Sequence, residues 1–238
     1  MKVITNIFGS SLGKKYIMAA SGAVLFLFVV GHLVGNLQIF LGPESINRYG
    51  HFLQTNPEII WPARLVLLFM VALHIWSAIK LSAENKAARP AAYAVYQPVA
   101  SSYASRTMLM SGIIIFVFIV YHLLHFTVQA QYVNLTGRNF TTFLDQADPA
   151  HPRHDIFKMM IVGFSNAWVS GFYILGMALL CLHLSHGVSA MFQSLGWKNK
   201  TYGPCLDKAA RIVAGLIFIG YTSIPLAILL GYGKGLIK

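Results

Sequence analysis

The amino-acid sequence predicts an all-α integral membrane protein, a single membrane domain over residues 1–238 in which five transmembrane helices form a bundle. Three observations carry that prediction. Apolar residues make up 56% of the chain and charged residues 11%, with a mean hydropathy of +0.62, well outside the range of a soluble domain. Five apolar stretches are each long enough to cross a hydrocarbon core of about 30 Å, which takes roughly 20 helical residues. None of them alternates with period 2, which excludes a β-barrel reading.

The first helix is placed at 16–41, behind Lys14 and Lys15. Its small residues Ala19, Ala20, Ser21 and Gly22 precede the apolar block, the reverse of the order in a cleavable signal peptide. The second is expected at 62–81 and the third at 107–130. The fourth, at 158–193, is long for a simple crossing and is expected to tilt or to run past the lipid. The fifth covers 210–231. The linkers are 82–106 and the loop 131–157, where Pro149 and Pro152 argue against a continuous helix. No internal repeat or low-complexity tract is evident.

The net charge of +11 would raise the question of nucleic acid on a soluble protein; here it reads as membrane topology, with no nucleic-acid partner. With a cytoplasmic N-terminus the inner segments hold Lys2, Lys14, Lys15, Lys80, Lys86, Arg89, Arg106, Lys198, Lys200, Lys208 and Arg211, eleven of the eighteen basic residues. The outer segments hold the other seven together with the acids Glu44, Glu58, Asp145, Asp148 and Asp155. The basic residues therefore favour N-terminus inside and C-terminus outside. The two cysteines, Cys181 and Cys205, form neither a Cys-x-x-Cys pair nor a covalent haem-attachment motif.

Six of the nine histidines fall inside the apolar stretches: His32, His74, His122, His125, His183 and His186. An ionisable side chain in lipid is costly and is read first as functional, whereas packing between membrane helices normally uses Ser, Thr, Gly or Ala. At a rise of about 1.5 Å per residue, His32 and His122 both lie about 23 Å from the cytoplasmic side, while His74 and His183 lie roughly 10 to 15 Å up. Two histidine pairs at two heights are thus expected. A zinc site calls for three or four ligands at one depth. Two imidazoles per level, without carboxylates, suit a haem iron that takes its other four ligands from a porphyrin, so the residues point to two non-covalent b haems. His125 and His186 follow His122 and His183 by three positions, and spacing alone leaves either member of each couple as the ligand. Gly31, Gly35 and Gly187 leave room beside the ligands, or serve helix contact as Gly-x-x-x-Gly.

Gly-His-Leu-Val-Gly-Asn at 31–36, Tyr-Gly-His-Phe at 49–52, Leu-His-Ile-Trp at 73–76, Tyr-His-Leu-Leu-His-Phe at 121–126 and Leu-His-Leu-Ser-His-Gly at 182–187 together resemble the five-helix, di-haem cytochrome b anchor of succinate dehydrogenase and fumarate reductase, or complex II. The likeness covers nearly the whole chain. It implies His32 and His122 as ligands of a distal haem, and His74 and His183 as ligands of a haem proximal to the soluble subunits. It favours His122 over His125 by its distance from Gly112, and His183 over His186 by Gly187 four residues on. It further implies a flavoprotein subunit that oxidises succinate, an iron–sulfur subunit, and a membrane quinone, often menaquinone, as electron partner. Some fumarate reductases of this type carry an acid two positions before the fourth-helix ligand for a proton path; Cys181 stands there in this chain, so that path is not carried over.

Residues outside the spans say less. His51, expected in an outer loop after Asn47 and Arg48, could bind a quinone carbonyl or move a proton, though an exposed loop histidine without a role is the commoner case. His151 and His154 read as surface residues. Arg64, Arg106 and Arg211 near helix ends could pair with haem propionates or anchor the helices at the interface. The expected setting is a bacterial or archaeal cytoplasmic membrane. Two other classes compete: a di-haem b subunit of a hydrogenase or formate dehydrogenase, and a haem-free transporter that uses its histidines for metal ions or protons.

Overall fold

The computed structural model describes residues 7–88, 103–145 and 152–237. The architecture is all-α, and among the described residues five helices are long and apolar enough to cross a membrane: Ser11–Leu41, Pro57–Ala87, Met108–Thr127, Ala167–Ser194 and Gly203–Leu229. In chain order the elements are α1 (Ser11–Leu37, extended by a 3-10 turn Gln38–Leu41), α2 (Pro43–Thr55), α3 (Pro57–Ala87), the single turn α4 (Tyr103–Arg106), α5 (Met108–His122, continued by a wide π turn Leu123–Thr127), a 3-10 turn Phe140–Thr142, strands β1 (Leu144–Asp145) and β2 (Arg153–His154), α6 (Ile156–Phe164), α7 (Ala167–Ser194) and α8 (Gly203–Leu229).

All five expected spans are present, and their ends shift for local reasons. The first starts five residues earlier, where the Ser10 hydroxyl accepts from Gly13 N at 3.0 Å. It stops at Gly42, whose φ of +99° leaves the helical region and is followed by Pro43 at the first position of α2. The fourth differs most. Instead of one helix over 158–193 the chain forms α6 and α7, because Asn166 Oδ1 accepts from Trp168 N at 2.9 Å and Val169 N at 3.3 Å, opening a new helix there. The fifth begins at Gly203, behind an Asn199 side chain that accepts from Thr201 N and Tyr202 N. The loop expected over 131–157 contains a short antiparallel ladder, Leu144 opposite His154 and Asp145 opposite Arg153, so the chain is not wholly without strand.

The chain divides into two compact units. The first is drawn from Met1–Val29, Arg64–Ile113 and Cys181–Gly215. Lys14, 5% exposed, ties α1 to α3 inside it, donating to Glu84 Oε1 at 2.5 Å and to the Gly9 carbonyl at 2.8 Å. Lys198 does the same for α7 and α8, reaching Asp207 Oδ1 at 2.6 Å and Ser189 Oγ at 2.9 Å, while Ser189 also donates to Asp207. Each lysine thus has a carboxylate partner, which for the buried Lys14 is what a charge out of water requires.

The second unit is drawn from Val30–Ala63, Ile114–Leu180 and Leu216–Lys238. Its core holds Ile39, Phe157, Ile161, Val169 and Ile228, all nearly or fully buried. Fully enclosed Asn47 of α2 is its polar fastener. Its amide donates to Asp145 and Asp155 at 3.0 and 3.1 Å, and its carbonyl oxygen accepts from Phe157 N at 2.8 Å. Arg153 closes the same cluster on Asp145 and Glu44. Outward, the spans expose large apolar side chains such as Leu27, Leu68, Trp168 and Ile219, the surface expected against lipid chains.

Candidate functional site: two histidine pairs

In the first unit His74 of α3 faces His183 of α7, with ring centres 6.3 Å apart and planes at 62°. In the second unit His32 of α1 faces His122 of α5, at 5.7 Å and 80°. These are the two pairings expected from depth along the helices, and each is now a direct ring-to-ring contact. Among the described residues neither His125 nor His186 makes a ring contact with another histidine.

The hydrogen bonds behind the rings fix which nitrogen is available. Ser21 Oγ of α1 lies 3.2 Å from His74 Nδ1 and donates its only proton to the Ile17 carbonyl at 2.7 Å. Its oxygen can therefore only accept from the imidazole, so His74 carries its proton on Nδ1 and keeps a lone pair on Nε2. Ser111 of α5 repeats the arrangement. Its hydroxyl donates to the Met108 carbonyl at 3.1 Å and accepts from His183 Nδ1 at 3.2 Å. Gly22 and Gly112, each following its serine, let the helix backbone come up to the ring: a Cβ would stand 3.2 Å from His74 Cε1 at the first and 3.7 Å from His183 Cε1 at the second. Ser21 and Ser111 are both buried.

The other pair is backed differently. The Tyr173 hydroxyl of α7 lies 3.3 Å from His122 Nδ1 and 3.0 Å from His125 Nδ1. A phenol has one proton to give, so at most one of the two imidazoles accepts from it and at least one donates to it. His122 is the one that also faces His32. His125, fully buried, stacks on Phe126 at 4.0 Å, and its Nε2 points at Gly163, where a Cβ would stand 3.2 Å away. Among the described residues that nitrogen has no hydrogen-bond partner. Packing thus separates two histidines that spacing left equivalent: His122 can share a ligand with His32, and His125 is walled in by aromatic rings and helix backbone.

The other candidate residues lie around the pairs or near helix ends. His186 is half-buried one turn beyond His183. Gly31 has open space beside it and Gly187 nothing nearer than Met108, while Gly35 makes room for the Tyr49 ring, so only Gly35 of the three is held by a helix contact. His51 is exposed, but on the regular helix α2 and not in a loop: Pro43 starts that helix and Glu44 sits in its first turn, where an acid favours it. Arg64, Arg106 and Arg211 are exposed or partly exposed near helix ends, and Arg211 donates to the Asp207 carbonyl at 3.2 Å. His151 lies outside the described residues, as do Lys2, Arg89, Asp148 and Pro149. His154 is half-buried beside β1 rather than free at the surface.

Sequence reasoning missed Ser21, Ser111 and Tyr173 as partners of the imidazoles. A signal for the serines exists. Ser21-Gly22 precedes His32 by eleven residues and Ser111-Gly112 precedes His122 by eleven, a Ser-Gly-x9-His repeat in the first and third spans. Single serines in apolar helices are read as packing residues, which hides it.

Among the described residues no three His, Cys, Asp or Glu side chains converge as one metal-binding group, so each site offers two imidazoles. No family model matches the chain, and no curated protein or solved structure matches it.

Proposed function

We propose that the two histidine pairs would hold two b-type haems, and that the chain is the membrane-anchor cytochrome b subunit of a succinate:quinone oxidoreductase. The observation that carries the haem reading is the ring spacing. A metal held at about 2 Å by one nitrogen of each ring would need the two rings of a pair to lie close together. The ring centres lie 6.3 Å apart in the His74–His183 pair and 5.7 Å apart in the His32–His122 pair. Two side-chain ligands are too few for a zinc site and would suffice for a haem iron, which brings its remaining ligands with it.

His74, His183, His32 and His122 would hold the haems, with Ser21, Ser111 and Tyr173 orienting the rings. When bound, the haem supplies a one-electron couple whose potential answers to ligand, burial and surrounding hydrogen bonds. The chain's own work is then to hold imidazoles in the right tautomer, to keep water from them, and to keep the ligands in lipid. The order of the histidine motifs along the chain supports a complex II anchor, with a flavoprotein and an iron–sulfur subunit as partners and a quinone, menaquinone by the resemblance, as membrane substrate. His51 is the candidate for its carbonyl. On this reading the chain is a multi-pass protein of a bacterial or archaeal cytoplasmic membrane, N-terminus inside and C-terminus outside, and dicarboxylate chemistry belongs to a partner subunit.

The test is a pyridine haemochrome assay with a redox titration on the complex purified from membranes. Two b haems per chain, titrating in two steps and co-purifying with flavin and iron–sulfur subunits, are expected. Haem-free but folded protein overturns the reading. Two haems with hydrogenase or formate dehydrogenase partners keep the ligands and change the enzyme.

A further inference from the structure

The two imidazoles of the first unit are seated alike by different helices, and the seats are a duplicated dipeptide. We propose that Ser21 and Ser111 are positioning residues that hold His74 and His183 as Nδ1-protonated imidazoles with a free Nε2 lone pair, setting how strongly that pair donates to a bound iron. The inference rests on the haem reading for its consequence, though its geometry stands without it.

Three observations carry it. Each serine has its own proton committed to a carbonyl of its own helix, Ile17 for Ser21 and Met108 for Ser111, so each can serve the imidazole only as an acceptor. Each bond crosses between helices, α1 to α3 and α5 to α7, so the tautomer of one span is dictated by another. Each serine is followed by glycine, and an alanine at Gly22 would bring its methyl within 3.2 Å of the His74 ring, displacing it from its seat. Hydrogen bonds of this kind from a ligand's second nitrogen fix ring orientation and raise ligand basicity. His32 and His122 have a different arrangement, a tyrosine shared between His122 and His125. The two pairs are therefore built to differ, one backed by two hydroxyls with fixed protons and the other by a phenol that must choose between two rings.

Removing the acceptor should weaken the ligand and favour the reduced iron. In the purified complex, Ser21→Ala and Ser111→Ala are each expected to raise the midpoint potential of one haem, the same one in both variants. The expected size is on the order of tenfold in its reduced-to-oxidised ratio, equivalent to about 59 mV for one electron. The other haem should not move. Ser21→Thr and Ser111→Thr, which keep a hydroxyl, should return the potential toward that of the parent. Unchanged potentials in both alanine variants, or equal shifts of both haems, overturn the proposal.

A second readout separates this idea from the haem reading. 15N spectra of histidine-labelled full-length protein should give Nδ1–H imidazoles for His74 and His183 in the parent and a loss of that preference in the matching alanine variant. If the parent carries no haem, the proposed function falls while the tautomer result still decides the role of the serines; parent rings protonated on Nε2 overturn it outright.

Discussion

An imidazole enclosed by a membrane has two nitrogens to satisfy, and the chain treats them separately. For His74 and His183 the Nδ1–H donates to a serine oxygen, and the two rings lie with their centres 6.3 Å apart. Replacing either by alanine removes half of a two-ligand set, and no third metal-ligating side chain converges there among the described residues to complete it. His74→Ala or His183→Ala is expected to abolish one b-haem spectrum and leave the other; His32→Ala or His122→Ala should remove the complementary signal. Difference spectra of the four membrane preparations check this, and a pattern that groups His74 with His122 would refute the pairing. His125→Ala should spare both haems, because that ring is stacked on Phe126 and faces Gly163 instead of a second ligand. The sequence made the two histidine pairs legible because histidines are rare in lipid and their depths pair them. Their serine and tyrosine partners were not legible, since a hydroxyl in an apolar helix has many uses and only the packing of the helices reveals which ring it meets.

At the scale of elements, apolar length alone located the spans, while single capping side chains decided where they end. Asn166 divides what reads as one helix over 158–193, and hydropathy is blind to that break because Ile156–Phe164 is at least as apolar as Ala167–Ser194. The small ladder of β1 and β2 is equally invisible: two residues a side is too short for any period. Its stability carries a pH dependence. His154 Nε2 donates to Gln129 Oε1, and burial holds its pKa below the ordinary 6.5, with nearby Asp155 opposing the shift. When this segment unfolds the imidazole regains its normal affinity for a proton. The unfolded form therefore binds more protons below about pH 6.5, and stability falls as pH drops from there through the folded value. Hydrogen exchange over residues 140–145 and 152–155 should be slower at pH 7.5 than at pH 5.5, once corrected for the intrinsic rate, and His154→Gln should flatten that difference. An equal pH response in the variant would assign the effect to the carboxylates around Asn47.

Across the whole molecule, charge bears on orientation. The two acids assigned to inner segments, Glu84 and Asp207, are each bound to a lysine, Lys14 and Lys198. The acids assigned outside that the structure describes include Glu44, Asp145 and Asp155, gathered about Arg153 and Asn47. Reporter fusions at the two termini are expected to place the N-terminus inside and the C-terminus outside; both termini on one side would contradict an odd number of crossings.

The Lys14–Glu84 pair has a further meaning when the chain is followed in time. The partners are 70 residues apart. At a synthesis rate of about 5–20 residues per second, Glu84 leaves the ribosome several seconds or more after Lys14. A lysine that is neutralised in the finished protein is thus a bare cation while the first helix is being threaded, and it can steer insertion before its counter-ion exists. The bond that forms afterwards acts as a latch on a decision already taken, so the same side chain serves biogenesis first and architecture second.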